Sequence, residues 1–222
     1  MSWAPLVLSL EIATLAMLVS LIIGTALAVL LDSRRVPGRE VIYSVALTPL
    51  VLPPTVLGYY LLVVLGGTSF IGRAFHAVTG SQITFTFTGA VIAAAIGSLP
   101  FVVRSARVGL ESVDPDLRDA ARTLGASPLR VLFTVTLPLA APAIFAGGML
   151  AFARALGDYG TTQMVAGQLI DHTSTASVYV MNELYAGRDD AARNMAIATT
   201  IVGVTLLYVA NRLVKRFSRA HV

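Results

Sequence analysis

Apolar residues fall in five blocks, at 6–31, 42–65, 85–103, 132–156 and 195–214. Each is long enough for a helix to cross a hydrocarbon core of about 30 Å. One soluble core could not hide them. The chain is 56% hydrophobic and 13% charged, whereas a soluble domain carries about 25% charged residues, and its surface shrinks only slowly with size. The expected fold class is all-α, a polytopic transmembrane helical bundle in a single domain over 1–222. No cysteine is present, which excludes thiol catalysis, thiolate metal ligation and disulfides. No basic residue precedes the first block, and 12–31 is long enough to span, so it reads as a mature helix and not a signal peptide.

The basic residues orient the spans. Arg34, Arg35 and Arg39 follow the first block; Arg104, Arg107, Arg118, Arg122 and Arg130 follow the third; Arg212, Lys215, Arg216 and Arg219 form the tail. The other two loops carry Arg73, Arg188 and Arg193, and Arg154 lies inside a block. Short loops rich in Lys and Arg stay cytoplasmic, which puts the N-terminus outside and the C-terminus inside, as five spans require. The basic tail reads as an anchor at anionic membrane lipid, so the net charge of +4 does not point to nucleic acid. In the external loop 159–194, Val178, Met181, Leu184 and Tyr185 are spaced for a short amphipathic helix over 175–186. A re-entrant or sixth hydrophobic element is the alternative there.

The loop at about 109–131 is the most specific. Asp114-Pro115 supplies an N-cap and a proline at the first helical position. Gly125 offers a left-handed terminator, and Ser127-Pro128 starts a second helix. Between them Leu117, Ala120, Ala121 and Leu124 recur at i, i+3, i+4 and i+7, one apolar face, with Arg118 and Arg122 elsewhere. Such a helix either docks in a groove of another protein or packs on its own bundle or on lipid headgroups.

Asp119-Ala120-Ala121, Gly125 and Leu137-Pro138 resemble the signature loop of binding-protein-dependent ABC importer permeases, whose pattern begins Glu-Ala-Ala; Asp119 stands where that glutamate would be. The resemblance implies the type I importer permease fold. It also implies that the stretch with Leu117, Asp119, Ala120, Ala121, Leu124, Gly125, Ala126 and Pro128 is a coupling helix entering an ATPase subunit. The implied assembly is a homodimer of this chain, two ATPase subunits and an extracytoplasmic oxyanion-binding protein. This chain would bind no cofactor: the phosphate loop needs Gly-Lys-Ser/Thr, and the single lysine, Lys215, is flanked by Val214 and Arg216. ATP and Mg would sit on the partner ATPase, and the chain would not be an enzyme by itself.

Residues 48–59, Thr-Pro-Leu-Val-Leu-Pro-Pro-Thr-Val-Leu-Gly-Tyr, resemble the second-span signature of molybdate permeases. Residues 152–162 are similar to that family's Gly-Glu-Phe-Gly-Ala-Thr region, departing at Asp158, Tyr159 and Thr161. The glutamate-plus-tyrosine form is nearer to sulfate permeases. The implied cargo is molybdate or tungstate, with sulfate or thiosulfate as the alternative. Pro49, Pro53 and Pro54 remove amide donors, and carbonyls so freed at membrane depth need protein or a water-filled cavity. They mark either a pathway or a structural kink. Pathway candidates are Pro53, Pro54, Thr55, Gly58, Ser98, Gly157, Asp158, Gly160 and Thr161, with hydroxyls of Thr55, Ser98 and Thr161 meeting the anion. Ser98-Leu99-Pro100 is expected to break the third span likewise. Arg154 is an intramembrane charge with Asp158 at i+4, either an anion guide or half of a structural pair.

Glu11 is expected at the membrane interface, and Tyr43, Tyr59 and Tyr60 in packing or interfacial belts. His76, His172 and His221 lack ligand spacing, so no metal site is expected. A secondary transporter would show internal repeats, and none is visible. An intramembrane enzyme would need more than Arg154 and Asp158.

Overall fold

The computed structural model describes residues 3–33, 36–168 and 173–219, with side chains through residue 212. Arg34, Arg35, His172 and His221, and the side chains of Lys215, Arg216 and Arg219, lie outside the described residues. The described chain is helical, without strands. In order come α1 (Ala4–Asp32), α2 (Arg39–Val51), α3 (Pro54–Leu65), α4 (Phe70–Thr79), α5 (Phe87–Glu111), α6 (Pro115–Thr123) and α7 (Pro128–Val131). A π-helical turn (Leu132–Thr136) leads into α8 (Leu137–Leu156), followed by α9 (Gly160–Ala166), α10 (Ala176–Tyr185) and α11 (Asp189–Arg219).

Four stretches are long and apolar enough to cross a membrane: Ala4–Asp32, Phe87–Glu111, Pro128–Leu156 and Asp189–Arg212. The second apolar block is not a single straight span, because α2 and α3 meet at 117°. The cause is local. A residue before proline is driven out of the α region, and Leu52 and Pro53 both precede one. Both are extended, with ψ of 135° and 139°. The expected break at Ser98-Leu99-Pro100 does not occur, since α5 runs unbroken through Pro100. A single proline keeps φ near helical values and forfeits one ladder bond, and α1 and α8 clamp the turns on either side. Pro138 lacks the amide that would close an ordinary turn; the ladder shifts to the wider π register, with Leu137 N donating to Leu132 O.

α5 is the hub. Gly24 of α1 faces Val102, where an added Cβ would stand 2.9 Å from the valine Cβ. Gly147 of α8 faces Ser105 at 2.6 Å, and Gly109 of α5 faces Ala143 at 2.8 Å. Small residues are what let helix backbones approach this closely in lipid. Within the contact Ser20 Oγ donates to the Ala95 carbonyl at 3.0 Å, and Ser98 Oγ donates to Ala94 at 2.6 Å.

The helix expected at 175–186 is present as α10, capped by Thr175, but its buried side differs. Ala176, Val178 and Glu183 are buried, while Leu184 and Tyr185 face outward. Glu183 tolerates burial because Arg188 grips it with two bonds, Nε to Oε2 at 2.5 Å and Nη2 to Oε1 at 2.8 Å. α4 and α9 were not expected. Ser69, whose Oγ accepts from Gly72 N, and Gly80 at φ +71° bound α4.

Two outcomes are expected. Gly109→Val should destabilise the detergent-solubilised chain by about 1–3 kcal/mol, read as a lower Tm; an unchanged Tm would mean α5 and α8 are less close. The hydrogen bonds from Arg188 hold the Glu183 carboxyl below its ordinary value of 4.5. A depressed folded-state value makes this contribution complete above the unfolded value and lost as pH falls through the folded one. Protection of the 186–188 amides relative to their intrinsic exchange rate should therefore fall as pH drops through the lowered Glu183 value, and Glu183→Gln should show the lower protection already at neutral pH.

Candidate functional site

At one end of the bundle, α6 stands out from the rest. Asp114 Oδ1 accepts from Asp116 N at 2.9 Å and caps its start. At its end Gly125 takes φ +84°. Gly125 N donates to Arg122 O at 2.9 Å and Ala126 N to Ala121 O at 3.1 Å, the paired bonds of a Schellman terminator. Ser127 Oγ then caps α7 by accepting from Arg130 N at 3.4 Å.

None of the residues of α6 is buried. Leu117 is 49% exposed, Leu124 88% and Leu129 69%, and Ala120 is exposed beside them. The apolar face therefore does not pack on its own bundle. Asp119 pairs with Arg122 at 2.8 Å on the surface. Arg118, which spacing placed merely off the apolar face, ties α6 down. Its Nη1 donates to Asp32 at the end of α1 at 3.1 Å, and its Nη2 donates to the Leu110 carbonyl in the last turn of α5. Nothing in the local sequence signals this, because Asp32 is 86 residues away.

At the other end the structure joins the two motifs that lie a hundred residues apart. α3 and α9 pack so closely that a Cβ on Gly58 would stand 2.7 Å from Met164 Cβ, and one on Gly160 would stand 3.1 Å from Pro54 Cβ. Thr161 Oγ1 donates to the Pro54 carbonyl at 3.2 Å, satisfying one carbonyl at the elbow. Pro53, Pro54 and Thr55 are exposed, as is Gly157; Gly58, Gly160 and Thr161 are buried.

Asp158 is buried just after α8 and takes a bond from Arg154 Nη1 at 2.7 Å, the expected i,i+4 pair. Its other oxygen accepts from Thr162 N and Thr162 Oγ1, both at 2.8 Å. Asp158 thus links the end of α8 to α9, a role that the Thr at 162 could have suggested. Ser98 is apart from this group: fully buried, its hydroxyl is bonded to Ala94 and lies 3.2 Å from Ser20 Oγ. Of the three hydroxyls expected to meet an anion, Thr55 is the exposed one. Nearby, burial pushes the Tyr159 phenol up, with Tyr185 adding to it.

Comparison with known proteins gives these two ends a context. Residues 20–221 match the family described as binding-protein-dependent transport system inner membrane component. The chain is 42% identical over 207 residues to the molybdenum transport system permease protein ModB of Escherichia coli (strain K12), covering 92% of this chain and 90% of that one. It is 37% identical to ModB of Haemophilus influenzae, over 96% and 93% of the two chains. The sulfate transport system permease protein CysT of Salmonella typhimurium is 33% identical, over 89% of this chain and 71% of its own. Among solved structures, a bacterial ABC transporter involved in the import of alginate superposes with a TM-score of 0.76 at 15% identity, over 96% of this chain and 78% of that chain. The MetNI methionine ABC transporter gives 0.74 at 17% identity, over 98% and 99%. The chain has the fold of those ABC importer membrane components.

If Gly125 sets the direction of α6, Gly125→Val should alter it, since a β-branched residue resists positive φ while open space surrounds the position. We expect Gly125→Val to cost about 1–3 kcal/mol locally and to reduce recovery of any complex made through α6. Undiminished recovery would show that the Gly125 turn does not matter for docking.

Proposed function

The chain belongs to the binding-protein-dependent transport system inner membrane components, and from that premise we propose that it is the permease subunit of an ATP-driven importer of molybdate. It is a multi-pass membrane protein. The observation that carries the cargo is the 42% identity to a molybdenum permease over 92% of the chain. Tungstate, of the same shape and charge, is taken as well. Sulfate is the second reading, favoured by Asp158-Tyr159 in the Gly157–Thr162 region and by the 33% identity to a sulfate permease.

In this reading α2 and α3 together make one broken span, giving five crossings with the N-terminus outside and the α6 end in the cytoplasm. Two copies of the chain enclose the path, an external binding protein delivers the oxyanion at the α3–α9 end, and two ATPase subunits hold ATP and Mg. α6 is the docking element. Burying Leu117 and Leu124 in an ATPase groove would contribute about 1.5–3 kcal/mol each, and Asp119, Ala120, Ala121, Ala126 and Pro128 shape the surface offered. Arg118 makes that contact mechanical: bonded to α1 and α5, it passes a push on α6 to two membrane-spanning helices. ATP-driven closure of the ATPases moves the two α6 helices and turns the dimer outward; hydrolysis resets it. Pro53, Pro54, Thr55, Gly58, Gly157, Asp158, Gly160 and Thr161 form the outer part of the path or its hinge.

The test is ATPase activity of the chain reconstituted with its ATPase subunit and binding protein, titrated with molybdate, tungstate and sulfate. Stimulation by the first two with sulfate inert is expected. Stimulation by sulfate alone would keep the machine and change the cargo. No complex and no stimulation would overturn the importer reading.

A further inference from the structure

Gly97, Phe101, Arg104 and Val108 of α5 recur at i, i+4, i+7 and i+11 and share one face of the helix. The other faces are occupied. α1 lies against Leu99 and Val102, and α8 lies against Ser105 and Gly109. On the α2 side Arg107 is committed to Glu40 at 3.1 Å, to Glu111 at 2.9 Å and to the Tyr43 ring at 4.2 Å. The Gly97 face runs between the α8 and α2 flanks.

At Gly97 this face is closed over: an added Cβ would stand 3.8 Å from Leu57 of α3 and 3.9 Å from Arg154 Nη2 of α8. Toward the α6 end it opens. Phe101 is half-buried, Arg104 is exposed, and Val108 is 58% exposed. Among the described residues Arg104 has no ion pair, unlike Arg107 one turn below it. It stands seven residues inside the end of α5, about 10 Å along the axis. The apolar block of this span ends at Val103, so the exposed guanidinium stands at the cytoplasmic mouth of the face.

We propose that Arg154 and Arg104 are successive guanidinium stations for a tetrahedral oxyanion moving along this face of α5, an assignment that rests on the importer reading above. Their levels on α5, Gly97 and Arg104, are about 10 Å apart. Arg154 gives one nitrogen to Asp158 and turns its Nη2 toward Gly97, where an added Cβ would stand 3.9 Å from it. A guanidinium fork matches the oxygens of an oxyanion. The Asp158 carboxylate beside it tempers the attraction, so the anion is held weakly enough to leave, as conduction requires. Arg104 then receives it on the open side, while Arg107 is neutralised by its two carboxylates and does not compete.

The test uses the chain assembled with its ATPase subunit and binding protein in proteoliposomes, with radiolabelled molybdate as the probe. Arg104→Gln should lower uptake about tenfold, the loss of one charge-assisted contact, and Arg104→Lys should keep at least half of it. Wild-type uptake by Arg104→Gln would overturn the proposal. A second arm needs no arginine variant. The chain has no cysteine, so Val108→Cys gives it a single thiol. That thiol should react with a charged, membrane-impermeant thiol reagent from the cytoplasmic side and be shielded by molybdate. An inert thiol would mean the face is not an aqueous path. If the wild-type assembly takes up sulfate and not molybdate, the cargo reading fails and the same variants are read with sulfate. If it takes up neither, the importer reading fails while the labelling still decides whether the face is wet.

Discussion

In a hydrocarbon solvent a leucine gains little by leaving lipid tails for a helix surface, so helices must be held by how near their backbones come. Here that contact is α5 against α1 and α8, where Gly24, Gly109 and Gly147 leave no room for a Cβ. Alanines fill most of the remaining core around it, among them Ala13, Ala16, Ala94, Ala106 and Ala140. Both candidate sites are mounted on this frame. Arg118 bonds α6 to the last turns of α1 and α5, and the Phe85 amide, just before α5, donates to Val165 of α9 at 2.8 Å. Both ends are thereby bonded to α5 or to the residues that lead into it.

The two ends differ in how their polar groups are satisfied. At the α6 end an apolar face is left bare, and its backbone is complete, closed by a capping aspartate and a left-handed glycine. At the α3–α9 end the backbone is what breaks, with the Pro54 carbonyl and the Asp158 carboxylate answered by Thr161, Thr162 and Arg154. The first arrangement suits contact with another protein. The second suits a joint that can re-form its bonds at small cost.

Much of the helical layout could be read from the apolar blocks, and the α6–α7 turn from Asp114, Gly125 and Ser127, because caps and left-handed glycines are local physics. The family motifs around Asp119 and over 157–162 were legible as residues. Their spatial relations were not. Leu52-Pro53-Pro54 reads as a kink in one span, yet two successive pre-proline residues in extended conformation turn it into an elbow. Pro100 reads as a break, yet packing from two sides keeps the helix whole. α9, at seven residues, is too short to show a period, and α4 is legible in its Ser69 and Gly80 boundaries only when one looks for a short element. The Arg118–Asp32 bond, the seclusion of Ser98 against Ser20 and the approach of Arg154 to Gly97 all join distant segments, and spacing within one helix is silent about such partners.

The elbow between α2 and α3 also bears on how the protein is made. Thr161, whose hydroxyl bonds the Pro54 carbonyl at the elbow, lies 107 residues downstream of it. At about 5–20 residues per second, α3 waits roughly 5–20 seconds after synthesis before α9 exists to receive it. Through that interval a bent, proline-opened half-helix must be sheltered by the insertion machinery or by lipid. α9 then arrives beside α3, ahead of α10 and α11, so a chain stalled short of residue 161 would hold an elbow without its Thr161 bond.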